Sequence, residues 1–300
     1  MENVATGITN SVSFALASKV KDYFQLIKFT LSFMVVFSSV VCYLLAPGIV
    51  FNWWPILCLF TAGMLITGSA NSINQTVERD TDALMKRTAS RPVSSGRMRA
   101  SEAWAFAVIT GVAGILIMWI CFNLISALMG VFSLLLYAFV YTPLKKINSI
   151  SVLVGAFPGA LPCLIGWVAA TGTMGAGGWI LFSIQFLWQF PHFWAIAWVA
   201  HKDYERAGFK LLPGTEGPTK FTALQCVIYS MLMIPVGMLP YYLHVSGLTA
   251  LWVLFACNLS MVGLSVLLFI NMDVKSARRV MFGSYFYLLI VLLALLFDKV

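Results

Sequence analysis

The chain has little charge. Of its 300 residues only 10% are Asp, Glu, Lys or Arg, whereas 60% are hydrophobic and the mean hydropathy is +0.89. Soluble globular chains carry about 25% charged residues, so this composition excludes a soluble protein and predicts an integral membrane protein. The net charge of +8 is interpreted as a membrane orientation signal, and nothing in it indicates nucleic acid as a partner.

Histidine and cysteine are also scarce, with three and six residues. The cysteines occur singly and lack the paired spacing of a metal site, so we interpret them as small packing residues. The segment before residue 26 is polar and amphipathic and lacks the apolar core of a cleavable signal peptide. We therefore expect the first helix to act as its own insertion signal.

Long apolar runs recur along the whole chain, each close to the roughly 20 residues that a helix needs to cross the hydrocarbon core. The runs are continuous and rich in Leu, Ala and Met, which excludes the alternating strands of a membrane barrel. The sequence therefore predicts an all-α integral membrane protein with nine transmembrane helices. The predicted spans are 26–46, 53–73, 102–121, 124–142, 152–171, 179–198, 222–243, 248–270 and 281–297.

Basic residues are almost absent from every second loop between these spans. One side of the membrane receives nearly all of them, and the other side receives only Lys299. Cytoplasmic loops carry the excess of Lys and Arg, so the N-terminus is predicted in the cytoplasm and the C-terminus outside. We expect a multi-pass protein of the cell inner membrane with its active site on the cytoplasmic side.

Acidic residues concentrate in two of the cytoplasmic loops. These loops follow the second and sixth predicted helices, which suggests two parallel halves, 26–142 and 152–270, with 281–297 as an addition. We interpret residues 1–25 as a polar tail and 26–300 as one transmembrane domain. The acidic residues are Glu78, Asp80, Asp82, Asp203 and Glu205.

Asn74, Glu78 and Asp82 follow each other at intervals of four residues. If the second helix continues, these side chains share one face and Asp80 points to the opposite side. Two carboxylates stacked one turn apart repel each other unless a cation joins them, and Mg²⁺ prefers carboxylates together with substrate phosphates. The spacing therefore predicts a metal site, whereas the role of Asp80 stays open.

A basic run, Lys86, Arg87 and Arg91, follows this ladder of oxygen-bearing side chains. Arginine forks grip phosphate oxygens and lysine supplies a point charge, so the two sets together indicate a metal–diphosphate site. The alternative is a solvated loop whose charges only orient the protein and form incidental ion pairs.

His192 lies inside the sixth predicted helix, directly after Pro191. An ionisable residue within the membrane is a candidate functional residue, and neutral imidazole is a common iron ligand. The alternative is a packing histidine that satisfies carbonyls freed by the proline.

The stretch NQTVERDTDALMKRTASRP, residues 74–92, closely resembles the first signature of the UbiA-type intramembrane prenyltransferase superfamily. Three more stretches agree with it. They are VGAFPGALPCLIGWVAATG at 154–172, QFLWQFPHFWAIAWVAHKDYERAGFKLLP at 185–213 and SARRVMFGSYFYLLIVLLALL at 276–296. The segments QFPHFW and KDYERAGFKLLP are typical of the branch of protohaem IX farnesyltransferases.

The resemblance implies nine helices around a central cavity in which a polyprenyl diphosphate binds through Mg²⁺. The haem branch implies farnesyl transfer from farnesyl diphosphate to a vinyl group of haem b, which is a substrate. A quinone precursor or chlorophyllide is the alternative acceptor, and a transporter is a remote alternative class. Delivery of a poorly soluble product suggests haem A synthase or a terminal oxidase assembly as partner, besides membrane lipid.

The resemblance also assigns roles to residues. Catalysis is assigned to Asn74, Glu78, Asp82 and Asp203, and the metal to Glu78, Asp82 and Asp203. Diphosphate binding is assigned to Lys86, Arg87, Arg91 and Lys202, and haem binding to His192. The superfamily pattern has Asp where Gln75 and Glu78 stand, so the number of metal ions stays open.

Overall fold

The computed structural model describes residues 17–214 and 217–300, so most of the predicted polar tail lies outside the described residues. Within the described ranges helices are the only regular secondary structure, and one isolated β-bridge joins Ser246 to Lys299. The helices are α1 Ala17–Leu26, α2 Phe29–Leu45, α3 Trp53–Val77, α4 Arg79–Asp82, α5 Ala100–Cys121, α6 Leu124–Leu144, α7 Ser151–Thr171, α8 Ala176–Val199, α9 His201–Arg206, α10 Lys220–Tyr242, α11 Leu248–Asn271 and α12 Val274–Phe297.

Seven of these helices are long and apolar enough to cross a membrane, and α1 with α2 makes an eighth span if the bent pair counts as one. The seven are α3, α5, α6, α7, α10, α11 and α12. The 24-residue α8, which carries the polar residues Gln185, Gln189 and His192, is not among them. The predicted all-α membrane fold is confirmed, whereas the count of nine spans stays a prediction.

The helices pack in two connected groups that meet at α2 and α7. In the first group α3 lies along α5, and α6 contacts both α5 and α7. In the second group α8 contacts α10 and α12, while α11 lies between α10 and α12. The largest buried apolar cluster extends from α2 through α8 to α12 and includes Trp188, Phe190 and Trp194 of α8. Both groups contribute walls to the cavity described below.

Small residues allow the closest helix contacts. An added Cβ at Gly166 of α7 would collide with the backbone oxygen of Ser39 in α2, and one at Gly159 with the side-chain oxygen of Gln189 in α8. Membrane helices gain association energy from such close backbone approach rather than from the hydrophobic effect. α7 is therefore held tightly between α2 and α8.

We expect Gly166→Ala to destabilise the protein by about 1–3 kcal/mol, because overpacking would push α2 and α7 apart. The matched control is Gly263→Ala in α11, where an added Cβ meets nothing within 4 Å. That change should leave the unfolding temperature unchanged or raise it, since alanine favours a helix more than glycine does. Thermal unfolding in detergent measures both, and equal unfolding temperatures for the two variants would contradict the packing argument.

Candidate active site

A cavity of about 220 Å³ opens where the ends of several helices meet. Its wall contains four cationic side chains, Lys28, Arg87, Arg91 and Lys145, and two carboxylates, Glu78 and Asp82. The other polar residues are Asn74, Thr88, Tyr137, Tyr141 and Tyr204. Apolar residues complete the wall, namely Leu31, Met85, Val152, Gly155, Phe193, Ile196, Phe209 and Leu211. Positive charge therefore exceeds negative charge in a small, largely apolar space.

The end of α3 carries the three ladder residues into this cavity. α3 ends at Val77 and the short α4 follows after Glu78, whose backbone lies at φ −92° and ψ 7°. The i to i+4 spacing nevertheless persists, because Glu78 N donates to Asn74 O at 2.9 Å and Asp82 N to Glu78 O at 2.7 Å. The structure therefore brings Asn74, Glu78 and Asp82 together on one buried face.

Asp80 points the other way. Its side chain is 89% exposed and pairs with Arg79 at 3.4 Å. This is the placement expected from its position two residues from each of the inward carboxylates.

Asn74 joins three parts of the site. Its Oδ1 accepts a hydrogen bond from Lys28 Nζ at 2.9 Å, and its Nδ2 donates to Glu78 Oε2 at 2.9 Å and to Thr142 Oγ1 at 3.2 Å. Thr142 Oγ1 in turn donates to Tyr137 O at 2.9 Å. One amide thus fixes the relative positions of α2, α3 and α6 at the cavity.

Each carboxylate is paired with one cation from a later segment of the chain. Glu78 Oε1 lies 2.5 Å from Lys145 Nζ, and Asp82 Oδ2 accepts from Arg91 Nη1 at 2.6 Å. The second oxygen of Asp82, Oδ1, is buried and has no hydrogen-bond partner among the described residues. Buried oxygens with free lone pairs are suitable ligands for a hard divalent cation such as Mg²⁺.

Lys28 and Lys145 are site residues that the sequence analysis treated only as orientation charges. Lys145 lies directly after α6, and its ammonium is 5.0 Å from the ring centroids of Tyr141 and Phe209. Burial lowers the pKa of the Lys145 ammonium, and the neighbouring Glu78 carboxylate opposes that shift. The sequence signal was weak, because a lysine at a helix end is usually solvated and only tertiary packing buries this one.

A wide turn in α6 places two tyrosines at the cavity. Residues Leu136–Tyr141 form a π-helical turn, and such turns are frequent at functional sites. The rings of Tyr137 and Tyr141 are 5.3 Å apart and both line the cavity.

Tyr204 of α9 faces the two tyrosines of α6. Arg87 Nη2 donates to its hydroxyl oxygen at 3.1 Å, and the guanidinium lies 5.5 Å from its ring centroid. Burial raises the pKa of Tyr204, so its hydroxyl stays protonated and remains a potential donor to an anion.

Three of the residues predicted to bind metal or diphosphate do not reach the cavity. Lys86 and Lys202 are exposed, and Asp203 pairs with Arg206 at 3.6 Å. Within 17–214 and 217–300 no group of three or more His, Cys, Asp or Glu side chains is placed to hold a metal ion. The predicted trio of Glu78, Asp82 and Asp203 is therefore not assembled.

Lys202 and Asp203 do not reach the cavity because of the direction of α9. Successive helix residues point about 100° apart, so the placement of Tyr204 in the cavity turns Lys202 and Asp203 away from it. The contact of Lys86 and Lys202 with diphosphate stays a prediction.

His192 lies beside the cavity rather than in its wall. It is buried in α8, its Nδ1 is 2.8 Å from Ser284 Oγ of α12, and its ring stacks on Trp188 with centroids 4.6 Å apart. The next residue, Phe193, does line the cavity. These contacts agree with a helix-packing histidine, and haem binding by His192 stays a prediction.

Residues 35–293 match the model of the UbiA prenyltransferase family. The chain belongs to this family. It is 43% identical over 285 residues to the protoheme IX farnesyltransferase of Cytophaga hutchinsonii, covering 95% of this chain and 100% of that relative. It is 40% identical to the enzyme of the same name from Flavobacterium psychrophilum, covering 93% of this chain and 94% of the relative.

Solved structures share the fold. A digeranylgeranylglyceryl phosphate synthase superposes with a TM-score of 0.77 at 21% identity, over 94% of this chain and 98% of that one. A UbiA homolog from Archaeoglobus fulgidus, solved with GPP and Mg²⁺, superposes with a TM-score of 0.60 at 13% identity, over 91% and 99% of the two chains. At these identities the likeness establishes the fold of the family.

We expect Lys145→Met to destabilise the protein by roughly 3–5 kcal/mol, because it leaves the buried Glu78 carboxylate without its cation. The double variant Lys145→Met with Glu78→Gln should recover much of that loss, since the unpaired charge is gone. The matched control is Asp80→Asn, which breaks an exposed pair and should change stability by less than about 1 kcal/mol. Thermal unfolding measures all three, and equal stability of the single and double variants would refute a buried ion pair.

Proposed function

We propose that this protein transfers a farnesyl group from farnesyl diphosphate to a vinyl group of haem b, with addition of water, to give haem O and diphosphate. Five relatives that each match at least 93% of the chain are 37–43% identical to it and carry the name protoheme IX farnesyltransferase. The observation that carries the proposal is the cavity, where four cations surround two buried carboxylates.

Diphosphate departure is the step that this cavity assists. The bond between C1 of the farnesyl chain and the diphosphate oxygen breaks, and the oxygen keeps the electron pair. Groups aimed at the developing negative charge in a dry cavity stabilise the transition state more than they would in water. Arg87 and Arg91 offer planar forks to the phosphate oxygens, while Lys28 and Lys145 add point charges.

The residues present fit a divalent metal. Glu78 and Asp82 line the same cavity, and the unpartnered Oδ1 of Asp82 offers a buried oxygen. Mg²⁺ is usually held by one or two carboxylates together with substrate phosphates. When bound, Mg²⁺ would supply further neutralisation of the leaving diphosphate. Asp203 is the third predicted ligand, and the number of metal ions is open.

The two ion pairs link metal binding to diphosphate binding. Arg91 pairs with Asp82, and Lys145 pairs with Glu78. A metal ion on the carboxylates would replace this positive charge and leave both cations for the diphosphate oxygens. Binding of metal and diphosphate is therefore expected to be mutually favourable.

The remaining wall protects the carbon chain. Leu31, Phe193 and Ile196 exclude water, and the rings of Tyr137 and Tyr141 offer their faces to an allyl cation. The terminal vinyl carbon of haem b would form the new bond to C1. Water oxygen then bonds to the remaining cation and loses a proton, which leaves a hydroxyethylfarnesyl group.

For the membrane arrangement we propose nine spans, with α1–α2 and α8 added to the seven apolar helices. The N-terminus and the cavity would face the cytoplasm of the inner membrane and the C-terminus the outside, as the distribution of Lys and Arg indicates. Haem A synthase or a terminal oxidase assembly is the proposed recipient of the product.

We expect Asp82→Asn and Glu78→Gln each to lower haem O formation by more than about 100-fold, because they remove the metal-binding charge while keeping the side-chain shape. Asp80→Asn, which changes the neighbouring exposed carboxylate, should keep wild-type activity. The assay incubates membranes with farnesyl diphosphate, haem b and Mg²⁺ and measures farnesylated haem by mass. Substantial turnover by either inward variant, at normal membrane insertion, would refute the assignment.

We expect His192→Ala to weaken haem b binding more than farnesyl diphosphate binding and to change the optical spectrum of bound haem. His244→Ala, in the loop between α10 and α11, is the control for loss of one histidine and should leave the spectrum unchanged. An unchanged spectrum of His192→Ala would assign His192 to packing against Ser284 and Trp188 instead.

A further inference from the structure

A break separates α1 from α2, and the two helices differ in direction by 54°. Lys28 lies at this break with φ 49° and ψ 57°, in the left-handed region that side chains other than glycine rarely adopt. Its ammonium reaches into the cavity and donates to Asn74 Oδ1. A strained backbone at such a place persists only when the surrounding structure holds it.

At the break Leu26 O and Ile27 O have no backbone donor among the described residues, whereas Gln25 O still accepts from Lys28 N at 3.2 Å. In a membrane protein such oxygens need partners from elsewhere. Gln75 Nε2 of α3 donates to Leu26 O at 2.7 Å and to Gln25 O at 3.1 Å. Ile27 O accepts from Asn71 Nδ2 of α3 at 3.1 Å and from Ser32 Oγ at 2.7 Å.

α3 contacts the break between α1 and α2 along one continuous face. Gly68, Asn71 and Gln75 lie three and four residues apart, so they share that face. An added Cβ at Gly68 would approach Ile27 Cγ2 to 3.1 Å, so the small residue permits the close approach. Asn71 also donates to Ser32 Oγ at 3.0 Å in the first turn of α2. α3 therefore binds both sides of the break.

We propose that Gln75 and Asn71 are positioning residues, which hold the break and thereby keep the Lys28 ammonium in the cavity as a diphosphate ligand. The proposal rests on the proposed function, because diphosphate is the anion that Lys28 would bind. Neither amide is among the described residues that line the cavity, so each acts through Lys28.

The test compares Gln75→Met, Lys28→Met and the double variant in the full-length protein, with inorganic diphosphate and Mg²⁺ as the probe. Methionine keeps the size of glutamine but has no donor. We expect each single variant to weaken diphosphate binding about tenfold or more, as for loss of a charge-assisted hydrogen bond. The double variant should bind no more weakly than Lys28→Met, because Gln75 acts through Lys28.

The matched control is Gln185→Met. Gln185 is a buried amide of α8 that donates to Gly159 O at 2.9 Å and to Ser38 Oγ at 3.3 Å, away from the break. The Gln185→Met variant loses comparable hydrogen bonds and should bind diphosphate like the wild type. A general loss of stability would weaken binding in Gln185→Met as well and would contradict a specific role for Gln75.

A second readout does not depend on the ligand. The reactivity of Lys28 toward an amine-modifying reagent should rise in Gln75→Met, because the side chain is released from the cavity. Wild-type affinity in Gln75→Met, or effects of Gln75→Met and Lys28→Met that multiply, would overturn the proposal. Failure of the wild type to bind Mg²⁺ and diphosphate would overturn the proposed function as well, so the two failures are distinguishable.

If Gln75→Met does not fold, Lys28→Asn tests whether Lys28 serves diphosphate binding or only the fold. Asparagine tolerates the left-handed conformation but lacks the ammonium. We expect this variant to unfold at no lower temperature than the wild type while it loses at least about tenfold in diphosphate affinity. A lower unfolding temperature with unchanged affinity would show that Lys28 serves the fold and not the ligand.

Discussion

Two carboxylates are buried where α3 ends, and the arrangement of the surrounding helices follows from their need for positive charge. An unpaired carboxylate in such a place is costly, so Glu78 and Asp82 require cations from other segments. Lys145 comes from the end of α6 and Arg91 from the loop before α5. These pairs join segments far apart in sequence around one small cavity. Under the proposed function the same pairs would release their cations to a diphosphate when a metal ion binds the carboxylates.

Polar groups elsewhere in the apolar helices serve close packing. Ser69 donates to Ala107 O at 2.7 Å and Ser72 to Ala103 O at 2.9 Å, which fixes α3 against α5. Gln185 and Gln189 of α8 donate to carbonyls of α7. Because lipid offers no hydrogen-bond partner, such contacts choose one register for each helix pair. The cavity can then be placed precisely although most of its wall is apolar.

Much of the fold was predictable from the sequence, because runs of about 20 apolar residues have few alternatives to a membrane helix. The ladder on α3 and the outward Asp80 followed from helical spacing alone. Asp203 was predicted as a third ligand from the resemblance, but its placement depends on the direction of α9, which no local pattern encodes. Lys28 and Lys145 were missed for a related reason, since only tertiary contacts distinguish a buried lysine from a solvated one.

The π-helical turn divides α6 into two parts whose side chains point in different directions. One extra residue in a turn shifts every later side chain by about 100° around the helix axis. The two ends of α6 are therefore out of phase, and the end that carries Tyr141 and Thr142 presents a different stripe from the one that begins at Leu124. The side chains of the two parts therefore do not form one continuous stripe, and among the described residues α6 lines the cavity only from its later part, with Tyr137 and Tyr141.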